Sequence, residues 1–172
     1  FAEHPSLDNC REGFIEGLKQ SGFEEGKNIK FEYQNAQTDF SVANSIAQNF
    51  VASKVNLIAA IATPSAQTAY TAAEGKDIPV VITAVSDPVS AGLANSLDKP
   101  FKGVTGTSDI IPAEKQLSMI REFLPNAKTI GILYSTGEVN SEVQIEMYKK
   151  AASAFGFTIE TAGVSNQSEI PM

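Results

Sequence analysis

The sequence predicts an α/β fold of two doubly wound parallel-sheet lobes, the second incomplete. Three observations carry that prediction. Apolar runs of strand length at 55–62, 79–85 and 130–134 alternate with stretches whose apolar residues recur at helical spacing, the pattern of βαβ units joined by right-handed crossovers. Each run then breaks into small and polar residues: Thr63, Pro64 and Ser65 after the first, Ser86, Asp87 and Pro88 after the second, and residues 135–141 after the third. Finally, the alternation restarts after Asp109, where helix, strand, polar loop, helix and strand replay the earlier run in outline. A boundary there gives an N-terminal α/β lobe at 1–107 and the start of a C-terminal α/β lobe at 108–172. The ends read as cut: residues 1–5 look like the tail of a strand entering a loop, and 168–172 like a helix start.

Ser6 is expected to cap a first helix, in which Leu7, Cys10, Phe14 and Leu18 share a face. Asp8 then sits in the positively polarised first turn and Gly22 just beyond the end. Ile29, Phe31 and Tyr33 alternate with Lys30, Glu32 and Gln34, the period of a strand with one exposed face near a sheet edge. Thr38 or Asp39 caps the next helix, whose Phe40, Ala43, Ile46, Ala47 and Phe50 share a face. The run from Val55 reads as a strand buried on both faces. Pro64 suits the first turn of the following Ala-rich helix, where its missing N–H is no loss, and Gly75 ends that helix. A second buried strand spans 79–85, a short irregular helical segment 86–97, and a brief Gly- and Thr-rich strand 103–107. Gly103 and Gly106 permit the backbone changes of a hinge near 107–109. Pro112 opens a helix with Leu117, Ile120 and Leu124 inward. A strand buried on both faces follows at 129–134, then a helix at 141–155 broken by Gly156, and a last strand at 157–162.

Composition narrows the function classes. With 172 residues, 42% of them hydrophobic, the chain is long enough to bury a real core. A net charge of −7 and a pI near 4.7 argue against nucleic acid as a partner, because phosphate binding needs clustered Lys and Arg. Cys10 is the only cysteine, which excludes an intrachain disulfide or a Cys-based metal site and reads as a half-buried thiol. No apolar run reaches the roughly 20 residues of a spanning helix, and no charged-then-apolar leader opens the chain. His4 is the only histidine, so a nucleophilic triad or a transition-metal site has little to build on. Nucleotide-binding glycine loops are absent. Residues 135–140 superficially resemble the hydroxyl-rich phosphate loop of flavodoxins, but Asn140 stands where a further Thr is needed and Glu138 would repel phosphate. No catalytic residue, cofactor or metal is expected.

In open parallel sheets ligands bind in the crevice outside the carboxyl ends of the strands, which makes the three polar loops the candidate site. Their residue types suit an α-amino acid. Helix N-termini and the hydroxyls of Thr63, Ser65, Ser135 and Ser141 match its carboxylate. Glu3, Asp87 or Glu138 match its ammonium, the plainer reading being solvated loop carboxylates or helix caps. Ser86 and Asp87 are expected to face the cleft. Gly137 allows close backbone approach, and Asn140 adds hydrogen bonds, unless Asn140 or Ser141 merely caps the next helix. Pro64, Pro88 and His4 offer flat walls for an aromatic side chain.

The blocks Glu3-His4-Pro5-Ser6-Leu7-Asp8, Arg11-Glu12-Gly13-Phe14, Thr63-Pro64-Ser65-Ala66, Ser86-Asp87-Pro88-Val89 and Gly92-Leu93 are specific when taken together. So are Leu124-Pro125-Asn126-Ala127-Lys128-Thr129-Ile130-Gly131 and the stretch from Tyr134 to Ser141. With these the chain resembles the substrate-binding proteins of a family of bacterial ABC importers that includes tryptophan and tyrosine binders, over essentially its whole length. The resemblance implies a periplasmic-binding-protein-like fold of type I, closing by hinge motion on a small ligand between the lobes. It implies an amino acid ligand, foremost an aromatic one (tryptophan, phenylalanine or tyrosine), an ABC permease as membrane partner, and an extracytoplasmic place in the periplasm or on a lipid anchor. Members are about twice this length, so the first strand and much of the second lobe are expected to be missing here. Two other classes stay open: a ligand-sensing domain of a regulator with the same fold, and a flavodoxin-like enzyme.

Overall fold

Parallel strand pairing organises both of the compact units into which the chain divides, Phe1–Asp109 and a second that begins at Ile110. The computed structural model describes residues 1–170. In the first unit the elements are α1 (Pro5–Gln20), α2 (Phe40–Ala52), β1 (Ile58–Ile61), α3 (Thr63–Ala73), β2 (Val80–Val85), β3 (Ala94–Ser96), β4 (Lys99–Pro100) and β5 (Val104–Ser108). The sheet runs in the order β1-β2-β5, all parallel, with Ile58 opposite Val80 and Val80 opposite Val104. A separate antiparallel pair joins β3 to β4.

The core of this unit is the apolar content of those strands. Ile58, Ala60, Val80, Ile82, Val85 and Val104 pack with Leu93 and with Ala66, Ala69 and Ala73 of α3. Leu93 is fully buried, which contributes about 1.5–3 kcal/mol of hydrophobic stabilisation. The small side chains of α3 let it lie close to the sheet and to α2. Gly106 is also set by close approach: at φ +151 it lies opposite Ile82, and a Cβ there would come 1.9 Å from the Ile82 carbonyl oxygen. Its smallness is required by the sheet.

Several expectations are corrected. The N-cap of α1 is His4, not Ser6: the Nδ1 of His4 accepts the Ser6 N–H at 3.2 Å, and Pro5 occupies the first turn. Residues 29–34 form no strand ladder, only an isolated bridge between Glu25 and Ile29, because no strand lies alongside them. Residues 86–93 are turns instead of helix, since the Asp87 side chain binds its own following N–H groups, and the β3–β4 hairpin follows. Of the two candidates, Asp39 caps α2, its Oδ1 accepting from Ser41 at 2.7 Å and Val42 at 3.1 Å.

The second unit contains α4 (Ala113–Phe123), β6 (Thr129–Ser135), α5 (Val139–Ala152), a 3-10 turn (Ser153–Phe155) and β7 (Thr158–Val164). β6 and β7 pair in parallel from Thr129 opposite Thr158 to Ser135 opposite Val164. Leu117, Ala152 and Phe157 are its buried centre, with Ile120, Ile130, Tyr148 and Ile159 packed around them. β6 is not buried on both faces as its sequence suggested. Ile130 and Ile132 are half-buried while Gly131 and Leu133 are exposed, because in this unit helices cover only the face that Ile130 shares with Ile159.

Arg121 ties the helix ends of this unit together. Its Nε and Nη2 donate to the Phe155 carbonyl at 3.1 and 2.7 Å, its Nη1 to those of Pro125 and Ala127 at 2.9 and 2.8 Å, and its Nη2 also to that of Gly156 at 3.2 Å. The guanidinium lies 3.9 Å over the ring of Phe157. A cation is thus held where α4 and the α5 extension leave unpaired carbonyls and the negative ends of their dipoles.

Two stability predictions follow from these contacts. Arg121→Met should lower the unfolding free energy by about 2–3 kcal/mol, the scale of losing charged hydrogen bonds. Arg121→Lys should recover only part of it, because an ammonium lacks the planar fork. Urea denaturation measures both, and a loss below about 0.5 kcal/mol for Arg121→Met would show these bonds to be solvent-equivalent. Gly106→Ala should cost about 2 kcal/mol or more, through the clash with Ile82 and the positive φ, and a Tm equal to wild type would contradict the close approach.

Candidate functional site

Parallel pairing brings the carboxyl ends of β1, β2 and β5 to one edge of the first sheet. Ala62 donates to the Thr83 carbonyl at 3.1 Å, the Thr107 hydroxyl lies 3.3 Å from that of Thr83, and the Ser108 hydroxyl donates to the Ser86 carbonyl at 3.0 Å. The side-chain amide of Gln67 in α3 reaches the Ala91 carbonyl at 3.0 Å, joining the loop after β1 to the turn after β2. Residues 62–65 and 86–91 therefore share one edge. Thr83 and Thr107 belong to it as well. Sequence reading missed them because both stand inside strand patterns, although a hydroxyl residue near a strand's end was the available signal.

Backbone strain marks the same edge. Ala62 has φ +78 and Ala84 φ +53, positive values that cost a non-glycine residue about 1–3 kcal/mol. Ala62 is the residue between β1 and α3, and Ala84 lies where the pairing of β2 with β5 shifts between Ile82 and Val85.

The helix starts differ in a way that bears on ligand binding. α1 and α2 are closed by the side chains of His4 and Asp39. α3, α4 and α5 have no side-chain cap, so their first-turn N–H groups keep no side-chain acceptor, and of these α3 and α5 are the helices that follow β1 and β6. Such termini favour a carboxylate.

Individual residues divide accordingly. In the first unit Thr63 and Pro64 are buried, Pro64 with under 2% of its surface accessible, so neither the ring of Pro64 nor the buried Pro88 presents a wall to a ligand. They fix the helix start, and Ser65 is the half-buried hydroxyl beside them. Ser86 is half-buried. Asp87 is engaged locally: Oδ1 accepts from Val89 at 3.0 Å and Ser90 at 3.1 Å, and Oδ2 from the Ser90 hydroxyl at 2.7 Å. Burial by itself would raise its pKa, but the Ser90 hydroxyl and the Ser90 and Val89 N–H groups outweigh it and hold the carboxyl below its ordinary value. Asp87 is thus the staple of its own turn, with one acceptor direction of about four left open. Glu3 and His4 are exposed, and the Glu3 carboxylate makes no hydrogen bond or ion pair among the described residues.

In the second unit Ser135, Glu138, Asn140 and Ser141 are all half-buried. α5 begins two residues earlier than its sequence suggested. Glu138 occupies the cap position without a side-chain cap bond, so Asn140 and Ser141 lie inside the first turn and neither caps the helix. The Thr136 N–H donates to the Val164 carbonyl at 3.0 Å, anchoring the loop across the strand pair. Asn140 Oδ1 is buried without a protein hydrogen-bond partner. A buried acceptor left without a donor costs about 1–3 kcal/mol. Among the described residues no group of His, Cys, Asp and Glu is placed to hold a metal, and no helix is long and apolar enough to cross a membrane.

Because the folded-state pKa of Asp87 is depressed, its contribution to stability is full above the unfolded-state value and is lost as pH falls through the folded value. Asp87→Asn should therefore be less stable than wild type at pH 7, with the gap closing on acidification below the ordinary carboxylate range. Thermal melts from pH 7 to pH 2 check this, and a gap independent of pH would mean that the charge of Asp87 is not what holds the turn.

Comparison with known proteins agrees with the geometry. The family of ABC transporter substrate binding proteins matches residues 1–172. A tyrosine-binding protein of Clostridioides difficile (strain R20291) is 47% identical over 168 residues, which is 98% of this chain and 48% of that protein. The crystal structure of an ABC domain in complex with L-Trp from Streptococcus pneumonia superimposes with a TM-score of 0.93 at 40% identity, over 99% of this chain and 57% of that one. The ligand-free, open structure of a substrate binding protein with adhesive properties from Clostridium difficile gives 0.72 at 48% identity, over 98% and 57%. The chain thus spans about half the length of the relatives it matches, and its α/β architecture is the periplasmic-binding-protein-like fold. With a family match from end to end and parallel strands carrying polar loops at their carboxyl ends, the chain belongs to the ABC transporter substrate binding proteins.

Proposed function

We propose that this chain is part of an extracytoplasmic solute-binding protein that holds an aromatic amino acid and delivers it to an ABC permease without transforming it. The observation that carries this reading is that α3 and α5, each following a parallel strand, start without a side-chain cap, the acceptor of Asn140 in the first turn of α5 being buried without a partner. The ligand carboxylate suits the first-turn N–H groups and the hydroxyls of Thr63, Ser65, Ser135 and Ser141. The ammonium suits the buried acceptor of Asn140 and the carboxylates of Glu3 or Glu138, which make no other hydrogen bond among the described residues. Asp87 and Ser86 then shape the neighbouring turn, and the exposed ring of His4 is available to an aromatic side chain. The relatives named for tyrosine and L-Trp supply the choice of ligand class. In this reading residues 1–107 and 108–172 belong to two lobes with a hinge near 107–109, and the protein works in the periplasm or as a lipoprotein at the cell surface.

The loop at 135–141 gives the sharpest test. In the protein at the full length of its relatives, Ser135→Ala combined with Asn140→Ala should weaken binding of L-Trp, L-Phe or L-Tyr by about 1–3 kcal/mol, the cost of leaving buried polar groups unpaired. Isothermal titration calorimetry on wild type and the double variant measures it. Equal affinities would remove this loop from the site.

A further inference from the structure

One side chain ties the loop after β1 to the turn after β2. The ladder between these strands ends where the Ala62 N–H donates to the Thr83 carbonyl at 3.1 Å. Beyond that bond the two chain segments part, one into α3 and the other into the turn at 86–91. Among the described residues, the only hydrogen bond that rejoins α3 to this turn runs from the Gln67 side chain to the Ala91 carbonyl at 3.0 Å. A carbonyl only accepts, so the Nε2 amide of Gln67 is the group that faces it. Gln67 is half-buried, with its bond partly shielded from water.

The two pieces that this bond joins are each rigid by other means. α3 is anchored by Ala66, Ala69 and Ala73 in the core, and within its first turns the Thr68 hydroxyl lies 3.1 Å from the carbonyls of both Pro64 and Ser65. The turn is stapled from inside by Asp87, and the N–H groups of Ala91, Gly92 and Leu93 donate to the carbonyls of Asp87, Val89 and Pro88 at 3.0, 3.0 and 2.9 Å. From outside, the Ser108 hydroxyl holds it at Ser86 and the Gln67 amide holds it at Ala91, its first and last residues. Ala91 and Leu93 are buried beneath it. Losing the Gln67 bond therefore does not unfold the turn. It leaves the turn free to pivot about its other mount.

We propose that Gln67 is a positioning residue for the ligand: by clamping Ala91 it fixes the spacing between the α3 start, with Thr63 and Ser65, and the turn that carries Ser86 and Asp87, and so sets the affinity. This role rests on the ligand reading above. A set of binding groups works only while it is held within about 0.5 Å of the productive geometry, which takes supporting bonds of this kind. Loops that leave neighbouring strands have no ladder to keep them in step, so a side chain must do it. Glutamine suits the task because its amide donates without bringing a charge to an edge that receives a charged ligand, whereas a carboxylate of the same shape would face the Ala91 carbonyl with no proton to give.

The test uses the protein at the full length of its relatives, with L-Trp, L-Phe and L-Tyr as probes, and compares wild type with Gln67→Glu and Gln67→Met. Both variants keep the length of the side chain, and neither donates a hydrogen bond at neutral pH. At a temperature where melts show all three proteins folded, calorimetry near neutral pH should find both variants binding about tenfold more weakly than wild type, the scale of one hydrogen bond misplaced. A protonated carboxyl can donate to the Ala91 carbonyl, so the affinity of Gln67→Glu relative to wild type should recover as the pH falls to about 4, the ordinary carboxylate range, while that of Gln67→Met stays low. A side chain that merely fills space would show no such recovery. Amide hydrogen exchange in the ligand-free proteins reads the clamp itself, and residues 91–93 should exchange faster in Gln67→Met than in wild type. Variants that bind as tightly as a binding wild type, or exchange at 91–93 unchanged by Gln67→Met, would overturn the proposal. A wild type that takes up none of the three amino acids would instead overturn the ligand reading, and the exchange rates would still decide the clamp.

Discussion

The structure depends on one constraint above all: strands that pair in parallel end on the same side. Because β1, β2 and β5 run together, every loop that leaves them emerges at one edge, and the polar residues that follow each apolar run are gathered there without any contact between the loops being needed. The pairing also explains where the backbone is tight. Gly106 must be glycine because the β5 backbone lies against Ile82, and the positive φ of Ala62 and Ala84 falls where the chain leaves or shifts within the ladder. Strain and polarity meet at the carboxyl edge of the sheet.

Hydrogen-bond satisfaction then separates structural polar groups from available ones. His4 and Asp39 close the starts of α1 and α2, and Asp87 closes its own turn. Arg121 does the corresponding work at the carbonyl ends in the second unit. Against that background α3, α4 and α5 start without a side-chain cap, and of these α3 and α5 follow strands, α5 with the buried, unpartnered acceptor of Asn140 in its first turn. The same reasoning weighs against Asp87 among the three carboxylates named for an ammonium, because its oxygens already accept three hydrogen bonds within the turn.

The apolar groups tell a parallel story. In the first unit small residues on α3 and branched residues on the strands close a core around Leu93. α1 has the right apolar spacing and no buried residue, and β6 has the right apolar content and an exposed Leu133. Both are amphipathic or apolar elements whose sequence anticipates a neighbour on a face that is open here.

Much was legible in the residues alone. The alternation of apolar runs with helical spacing yields the α/β class and the parallel strands, because both periodicities are local properties of the chain. The polar loops at the strand ends, and with them the candidate site, follow from the same reading. Local competition between nearby groups was less legible: that His4 and not Ser6 caps α1, or that α5 starts at Val139, depends on geometry over two or three residues. Only the tertiary structure decided the rest. Whether residues 29–34 count as a strand, whether β6 is covered on one face or two, and whether the ring of Pro64 meets a ligand or the core depend on which neighbour lies alongside. Period and propensity describe what a segment offers, while ladder bonds and burial need a second surface.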